Sequence, residues 1–341
     1  MSSKILPIDI PPAVTYPAST ANFSVAMSHK SFDAWFYSNN IMLLLDKDVV
    51  GEQGRFAMLE FFPFNCPLVK ESEIPSFFYS DPEKIIETLV TFINNRYYVM
   101  LEVDSFYIEG TSCYKNYHSW QPVLVYGYES DQFFNVAGFF HNAQYELKKI
   151  HFNSVQKAFA AGQDTLEEKF CQCGNTIKLL ACRNEFSYYF DLDKVKEQLT
   201  DYVESNTPKE YLFQEILDIR AAREFVFGAA IYDVVIQYFE VMSTKKAECD
   251  LRLLHTLLQH KIVWEKRIDY MKKSNILSAG VAEKFQETTH ELTNKITLAH
   301  NKIVRHNLNP RNSSIDMVCS LLAEVKVKEL QFGADLLAAI S

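Results

Sequence analysis

The chain has 341 residues, 48% of them hydrophobic and 23% charged, with a formal net charge of −9. This is the composition of packed domains rather than disorder, and the length suggests two cores. An acidic balance without clustered Lys and Arg excludes the electrostatic footprint of a nucleic-acid binder.

No apolar stretch approaches the roughly 20 residues that cross a bilayer, and the opening MSSKILPIDIPPAV lacks the basic-then-apolar layout of a secretion signal. A cytoplasmic, non-membrane protein is therefore expected. Its seven cysteines (Cys66, Cys113, Cys171, Cys173, Cys182, Cys249 and Cys319) are scattered, which fits reduced thiols better than a disulfide framework.

In chain order, the first predicted helix is SHKSFDAWFYSNNIMLLL. The second is DPEKIIETLVTFINN, where Asp81 caps, Pro82 takes the first turn and the apolar residues recur at helical spacing. Between and after them come short aromatic and β-branched clumps, FAMLEFFPF, YYVMLEVDSFYI, VLVYGY and FFNVAGFF, which are strand signals. A short helix, NSVQKAFAAG, is predicted from Asn153 to Gly162. From Leu192 onwards the apolar residues repeat at three and four, predicting a bundle of five or six helices. The expected division is residues 1–190 and 191–341.

The stretch WQPVLVYGYESDQFFNVAGFF, residues 120 to 140, reads as a β-hairpin with its tip at Glu129-Ser130-Asp131. Alternation puts Gln121, Val123, Val125 and Gly127 on one side, and Pro122, Leu124 and Tyr126 on the other.

A strand ending in YGY plus an acidic residue, a return strand, a Tyr-containing strand and an F…AF helix together resemble the N-terminal domain family of butirosin biosynthesis protein H. Two further stretches extend the likeness from about Tyr16 over most of the chain. ANFSVAMSHKSFDAWFYSNNIMLL resembles the family's opening helix, and FGAAIYDVVIQYF with DLRLLHTLLQHKIVWEKRIDYM its helical region. The resemblance implies an α+β fold: a papain-like N-terminal domain with a mixed or antiparallel sheet and an opening helix, then an all-helical domain.

It also implies nucleophilic acyl chemistry, with a Cys attacking, a His activating it and an Asp orienting the His. Carried onto this chain, those three positions fall on Ser19, Gln121 and Gly138, and are expected to converge. All three depart from the pattern. An amide cannot take a proton from a hydroxyl near neutral pH, and glycine orients nothing.

Rival sites are few. Cys113 and His118, five residues apart in TSCYKNYHSW, form the best alternative thiol–imidazole pair, although the odd offset from Gln121 puts His118 on the other side of the strand if the strand reaches it. His141 reads as a turn residue. Cys171, Cys173 and Cys182 lack the fourth ligand that zinc wants. Asp250, Arg252, His255 and His260 cluster around a helix start and are expected at the seam between the halves. No phosphate loop or dinucleotide fingerprint is present.

The resemblance thus implies a natural-product biosynthesis protein acting on carrier-bound acyl or peptidyl thioesters, promoting amide formation without a standard triad. The expected partner is an acyl or peptidyl carrier protein or a synthetase module. No cofactor is called for beyond the carrier's phosphopantetheine arm as part of the substrate, and a homo-oligomer is compatible with the sequence. Two alternatives stand beside it: an inactive binding or scaffold partner, and a cysteine hydrolase using Cys113 and His118.

Overall fold

A computed structural model describes residues 3–50, 58–62, 66–79, 81–130, 132–141, 144–165, 176–209, 224–309 and 315–341. In chain order the elements begin with β1 (Lys4–Ile5), α1 (Pro17–Ala26), α2 (Phe32–Ser38), β2 (Met42–Asp46), β3 (Leu59–Phe62), β4 (Val69–Pro75) and α3 (Ile85–Asn94). They continue with β5 (Tyr98–Asp104), β6 (Trp120–Glu129), β7 (Phe133–Phe139), β8 (Tyr145–His151), α4 (Phe152–Thr165) and β9 (Thr176–Cys182). There follow α5 (Leu192–Glu204), β10 (Phe225–Phe227), α6 (Ile231–Lys245), α7 (Arg252–Lys273), α8 (Ala279–Leu308) and α9 (Ile315–Ile340). The class is α+β, and no helix among the described residues is long and apolar enough to cross a membrane.

The chain divides into two compact units, Met1–Phe32 with Asn65–Ser187, and Asp33–Phe64 with Tyr188–Ser341. A single cut near residue 190 misses this interleaving, because the segment Asp33–Phe64 folds with the C-terminal part. The C-terminal unit is consequently not all-helical: β2 lies between β10 and β3 in a three-stranded antiparallel sheet. The sequence predicts Met42–Leu45 as the end of a helix. Instead α2 stops at Ser38, Asn40 adopts φ 53°, and the apolar run that follows is buried throughout as a strand. A continuous apolar run carries no period to separate helix from strand.

Among the described residues the first unit holds a seven-stranded sheet in the order β4-β9-β5-β6-β7-β8, with β1 paired to the end of β6. Every pairing is antiparallel. The hairpin of β6 and β7 forms where it was predicted, but its register shifts between Val125 and Gly127. This bulge moves Gly127 to the opposite side from Val125, so the alternation expected from sequence fails at the YGY. Gly127 is required for another reason. A Cβ there would stand 2.8 Å from the Lys4 carbonyl oxygen and 2.9 Å from the Ile5 Cα, where β1 crosses. Asp81 caps as expected, accepting from Glu83 N at 3.1 Å, but it opens a 3-10 turn, Pro82–Lys84, that precedes α3.

Helices cover both faces of this sheet. On one face Ser24 of α1 donates to the Tyr145 hydroxyl at 3.1 Å, and Asn22 of α1 donates to Glu71 at 3.4 Å. On the other, Tyr128 donates to Asn94 of α3 at 2.9 Å, and Phe134 meets Phe152 of α4 with ring centroids 4.3 Å apart.

In the second unit α7 packs on α8 and β3, α8 on α9, and α9 on α5 and α6. Asp191 caps α5 by accepting from Lys194 N at 2.9 Å. The helical periodicity read from sequence locates α5 to α9 to within a few residues.

Candidate active site

Directly opposed residues of antiparallel strands share a face, and residues two apart on one strand do as well. Tyr145 of β8 opposes Phe139 and bonds α1, so Phe139 faces α1 and Gly138 faces away from it. Gly138 lies two steps along from Val136 and four from Phe134, the residue against α4. A Cβ at Gly138 would meet Val123 Cγ1 at 3.4 Å, which puts Val123, and with it Gln121, on that same α3/α4 face.

Ser19 stands on α1, on the other face. Its hydroxyl donates to the Tyr16 carbonyl at 3.1 Å, and its helix packs against β4, β6, β7 and β9. The structure therefore brings Gln121 and Gly138 to neighbouring strands, where Gln121 Nε2 donates to the Phe139 carbonyl at 3.2 Å. It does not place Ser19 on their side of the sheet, and the expected convergence of the three is corrected accordingly. The sheet's alternation is the physical reason: an assignment one residue off in register selects the wrong face.

The chemistry-bearing pair in this unit is one that sequence reasoning half found. Asp104, the last residue of β5, has a side chain with 0% exposure. Its Oδ1 accepts from Phe106 N at 3.0 Å and Ser119 N at 3.3 Å. Its Oδ2 lies 2.5 Å from His118 Nδ1. An ionised carboxylate is acceptor-only, so His118 Nδ1 carries the proton and donates it, leaving Nε2 with the basic lone pair. The imidazole side chain is 55% exposed. It stacks on Phe106 at 4.4 Å and 18° between planes. Tautomer, ring plane and access are all set, the arrangement in which a carboxylate-backed histidine takes and returns protons.

Asp104 also shares α1's side by alternation. Met100 opposes Lys178, whose ammonium bonds Glu71 at 3.0 Å, the same carboxylate that Asn22 of α1 reaches. Asp104 lies four residues beyond Met100 on the same strand.

Cys113, the other half of the sequence-derived pair, lies in the same connection between β5 and β6 and is buried. Its sulfur is 3.9 Å from Ser112 Oγ. His141 bonds Lys148 through Nδ1 at 2.7 Å, as a surface turn residue. Cys171 and Cys173 lie outside the described residues.

The second unit holds a different polar cluster. His260 is buried within this unit: its partners Ile41, Lys261 and Glu329 all belong to it, and its exposure is 0%. His260 Nε2 donates to the Ile41 carbonyl at 2.9 Å, and Nδ1 accepts from Lys261 Nζ at 3.0 Å. Lys261 also bonds Glu329, which accepts from the Tyr232 hydroxyl at 2.6 Å. Burial, and after it the Lys261 charge, push His260 down to about 4. Burial alone would raise the Glu329 carboxyl, but Lys261 and His260 override it and hold it well below the usual carboxylate range. Two turns on, Arg267 donates to the carbonyls of Tyr37, Asn39 and Asn40 at 2.9, 2.6 and 3.0 Å. These groups bond one another and the backbone, with Arg267 Nη1 the exception. Asp250 and Arg252 pair locally at the start of α7.

No protein-family model matches the chain, and no curated protein is detectably similar to it.

Proposed function

We propose that the first unit transfers an acyl or peptidyl group from a thioester to an amine, with His118 as general base and Asp104 as the residue that positions it. The observation that carries this reading is the 2.5 Å Asp104–His118 Nδ1 contact on an imidazole whose side chain is 55% exposed. The resemblance to the butirosin protein H family supplies the substrate class, a chain held on a carrier's pantetheine arm. An antiparallel sheet with a helix entering on one face is the layout that a papain-like ancestry calls for, and supports that finer fold reading.

The amine is bound as the free base. Its nitrogen attacks the thioester carbon while an N–H proton passes to His118 Nε2, giving a tetrahedral adduct and an imidazolium stabilised by Asp104. Collapse breaks the C–S bond, and the imidazolium returns its proton to the departing thiolate. The products are an amide and a free thiol, with His118 neutral again. No acyl-enzyme is needed, so the departures at Ser19, Gln121 and Gly138 cost nothing. General base catalysis supplies about 10²- to 10⁴-fold, and holding amine and thioester together supplies up to roughly 7 to 11 kcal/mol.

The test uses the purified full chain, an acyl-N-acetylcysteamine thioester and a primary amine, following thiol release and amide formation. His118→Gln should lower kcat by about 10²- to 10⁴-fold with the circular dichroism spectrum and Tm intact. Asp104→Asn should lower it comparably, because an amide that donates to Nδ1 imposes the wrong tautomer. Cys113→Ala should leave the rate unchanged; its loss of activity would instead establish the cysteine hydrolase reading. A wild-type protein that turns over neither this thioester nor a pantetheine-linked one overturns the proposal in favour of a binding partner.

A further inference from the structure

The surroundings of His118 carry more than proton chemistry. Phe106 stacks on the imidazole, and Tyr107 leans towards it with ring centroids 6.3 Å apart. Tyr107 also packs edge-on against Phe106 at 5.1 Å. Two more aromatic side chains lie close by in the chain and are exposed, Tyr117 directly before His118 at 51% and Trp120 two residues after it at 37%. Trp120 is fixed in place by pairing. Its Cα partner across β5 and β6 is Asp104, the residue that holds His118, so its side chain leaves the sheet on the same face, about 5 Å away at Cβ. Among the described residues the other exposed aromatic side chains, Phe78 and Tyr189, each stand alone in the chain. Tyr117 and Trp120 instead stand within two residues of a histidine whose side chain is 55% exposed.

We infer that the acyl group handled at His118 is planar and aromatic, held between Tyr117 and Trp120. This rests on the acyl-transfer reading for the chemistry, but not for the binding. Aromatic rings left in water gain most from a ligand that offers a π-face or edge, since their quadrupoles favour offset and edge-to-face partners over aliphatic ones. An aroyl group has a second advantage. Its ring is conjugated with its carbonyl and coplanar with it, so seating the ring on Trp120 and Tyr117 also fixes the plane that the carbonyl presents to an amine held at Nε2. An aryl group on the amine would confer no such control, because the acceptor is already oriented by its N–H. Two aromatic contacts predict roughly fivefold to a hundredfold tighter binding than an aliphatic acyl group of similar size.

The chain offers its own reporter. It has three tryptophans, and Trp35 and Trp264 are only 2% and 1% exposed, so quenching from solvent reads Trp120. Fluorescence titration of the full chain with benzoyl-, hexanoyl- and acetyl-N-acetylcysteamine should give saturable quenching by the benzoyl thioester, at a Kd at least about fivefold below that of hexanoyl. Tyr117→Ala should remove most of that preference, and Tyr117→Phe should keep it. Equal or tighter hexanoyl binding, a preference untouched in Tyr117→Ala, or saturable quenching by benzylamine instead of the benzoyl thioester would each overturn the inference. Its failure is separable from that of the acyl-transfer reading. Selective benzoyl binding without turnover leaves the aromatic site standing and removes the catalysis; turnover with equal kcat/KM for benzoyl and acetyl does the reverse.

Discussion

Both units pair a histidine with a carboxylate, and the two pairs are put to opposite use. In the first unit Asp104 is wholly buried while His118 is 55% exposed, so the carboxylate's bond fixes one ring nitrogen and leaves the other for a substrate. In the second, His260 and Glu329 are both inside, and every strong hydrogen-bonding direction of the imidazole is filled by Ile41 and Lys261. A perturbed titratable group marks a candidate functional site only when something can reach it. Here the buried His260 and Glu329, both held away from their ordinary titration ranges, are structural, and the group with access is recognised by its geometry.

The sharpest way to break this contrast is to remove one charge of the buried pair. Glu329→Ala leaves the buried Lys261 ammonium, over the Tyr232 ring, uncompensated, and should destabilise the second unit by about 3 to 5 kcal/mol. The double variant Lys261→Met with Glu329→Leu should recover most of that loss, because the desolvation cost disappears with both charges. Urea midpoints read through Trp35 and Trp264, which both lie in this unit, decide the matter.

Acid should do the same more gently. His260 sits at about 4 when folded, below its ordinary value of 6.5, so the unfolded chain takes up this proton first as pH falls. Stability is greatest above pH 6.5 and is lost as pH drops from there towards 4, where this group's contribution levels off. At 1.36 kcal/mol per unit the whole loss is about 3 kcal/mol. Glu329, held low as well, prolongs the decline at more acid pH. Denaturant midpoints at pH 7, 5.5 and 4.5 should show the slope in wild type and flatten it in His260→Gln. A slope unchanged by that substitution would mean that another group carries the acid sensitivity.

A smaller effect is expected in the first unit from Gly127→Ala. The added methyl would press on the Lys4 carbonyl and Ile5, so β1 must move away from β6, at a cost of about 1 to 3 kcal/mol. Faster amide exchange at Leu6, which bonds the Tyr126 carbonyl at 2.8 Å, would report the displaced strand.

What could be read in the sequence follows from which features are local. The helices of the second unit announce themselves through period, and the hairpin at 120 to 140 through its clumped apolar residues and polar tip. The strand Met42–Asp46 was not legible, because its partners Leu59–Phe62 and Phe225–Phe227 are remote and its own run of apolar residues has no period. Lys261 and Glu329 are 68 residues apart on two helices, and nothing short-range tells a charge that will be buried from one that will be solvated. Asp104 is different. It ends one antiparallel strand and His118 just precedes the next, so pairing alone brings them together. An acidic residue closing an apolar strand, with a histidine two residues before the following strand, was a visible signal.

The last expected effect is nil, and it bears on the carry-over of the family's three positions. Ser19→Cys with Gln121→His would lower a thiol's pKa if the imidazole stood beside it, since a thiolate is favoured by a neighbouring imidazolium. The sheet argues otherwise: α1 lies on one face, and Gln121 on the α3/α4 face with Val123 and Gly138. Adding Gly138→Asp is unwise in this test, because it would bury an unpaired carboxylate against α4's side of the sheet and confound reactivity with unfolding. The comparison is therefore between Ser19→Cys and Ser19→Cys/Gln121→His in a Cys113→Ala background, by alkylation rate against pH. The two curves should superimpose. A double variant that reacts at distinctly lower pH would mean that Gln121 reaches α1, and would return the reacting centre from His118 to the positions the family resemblance first indicated.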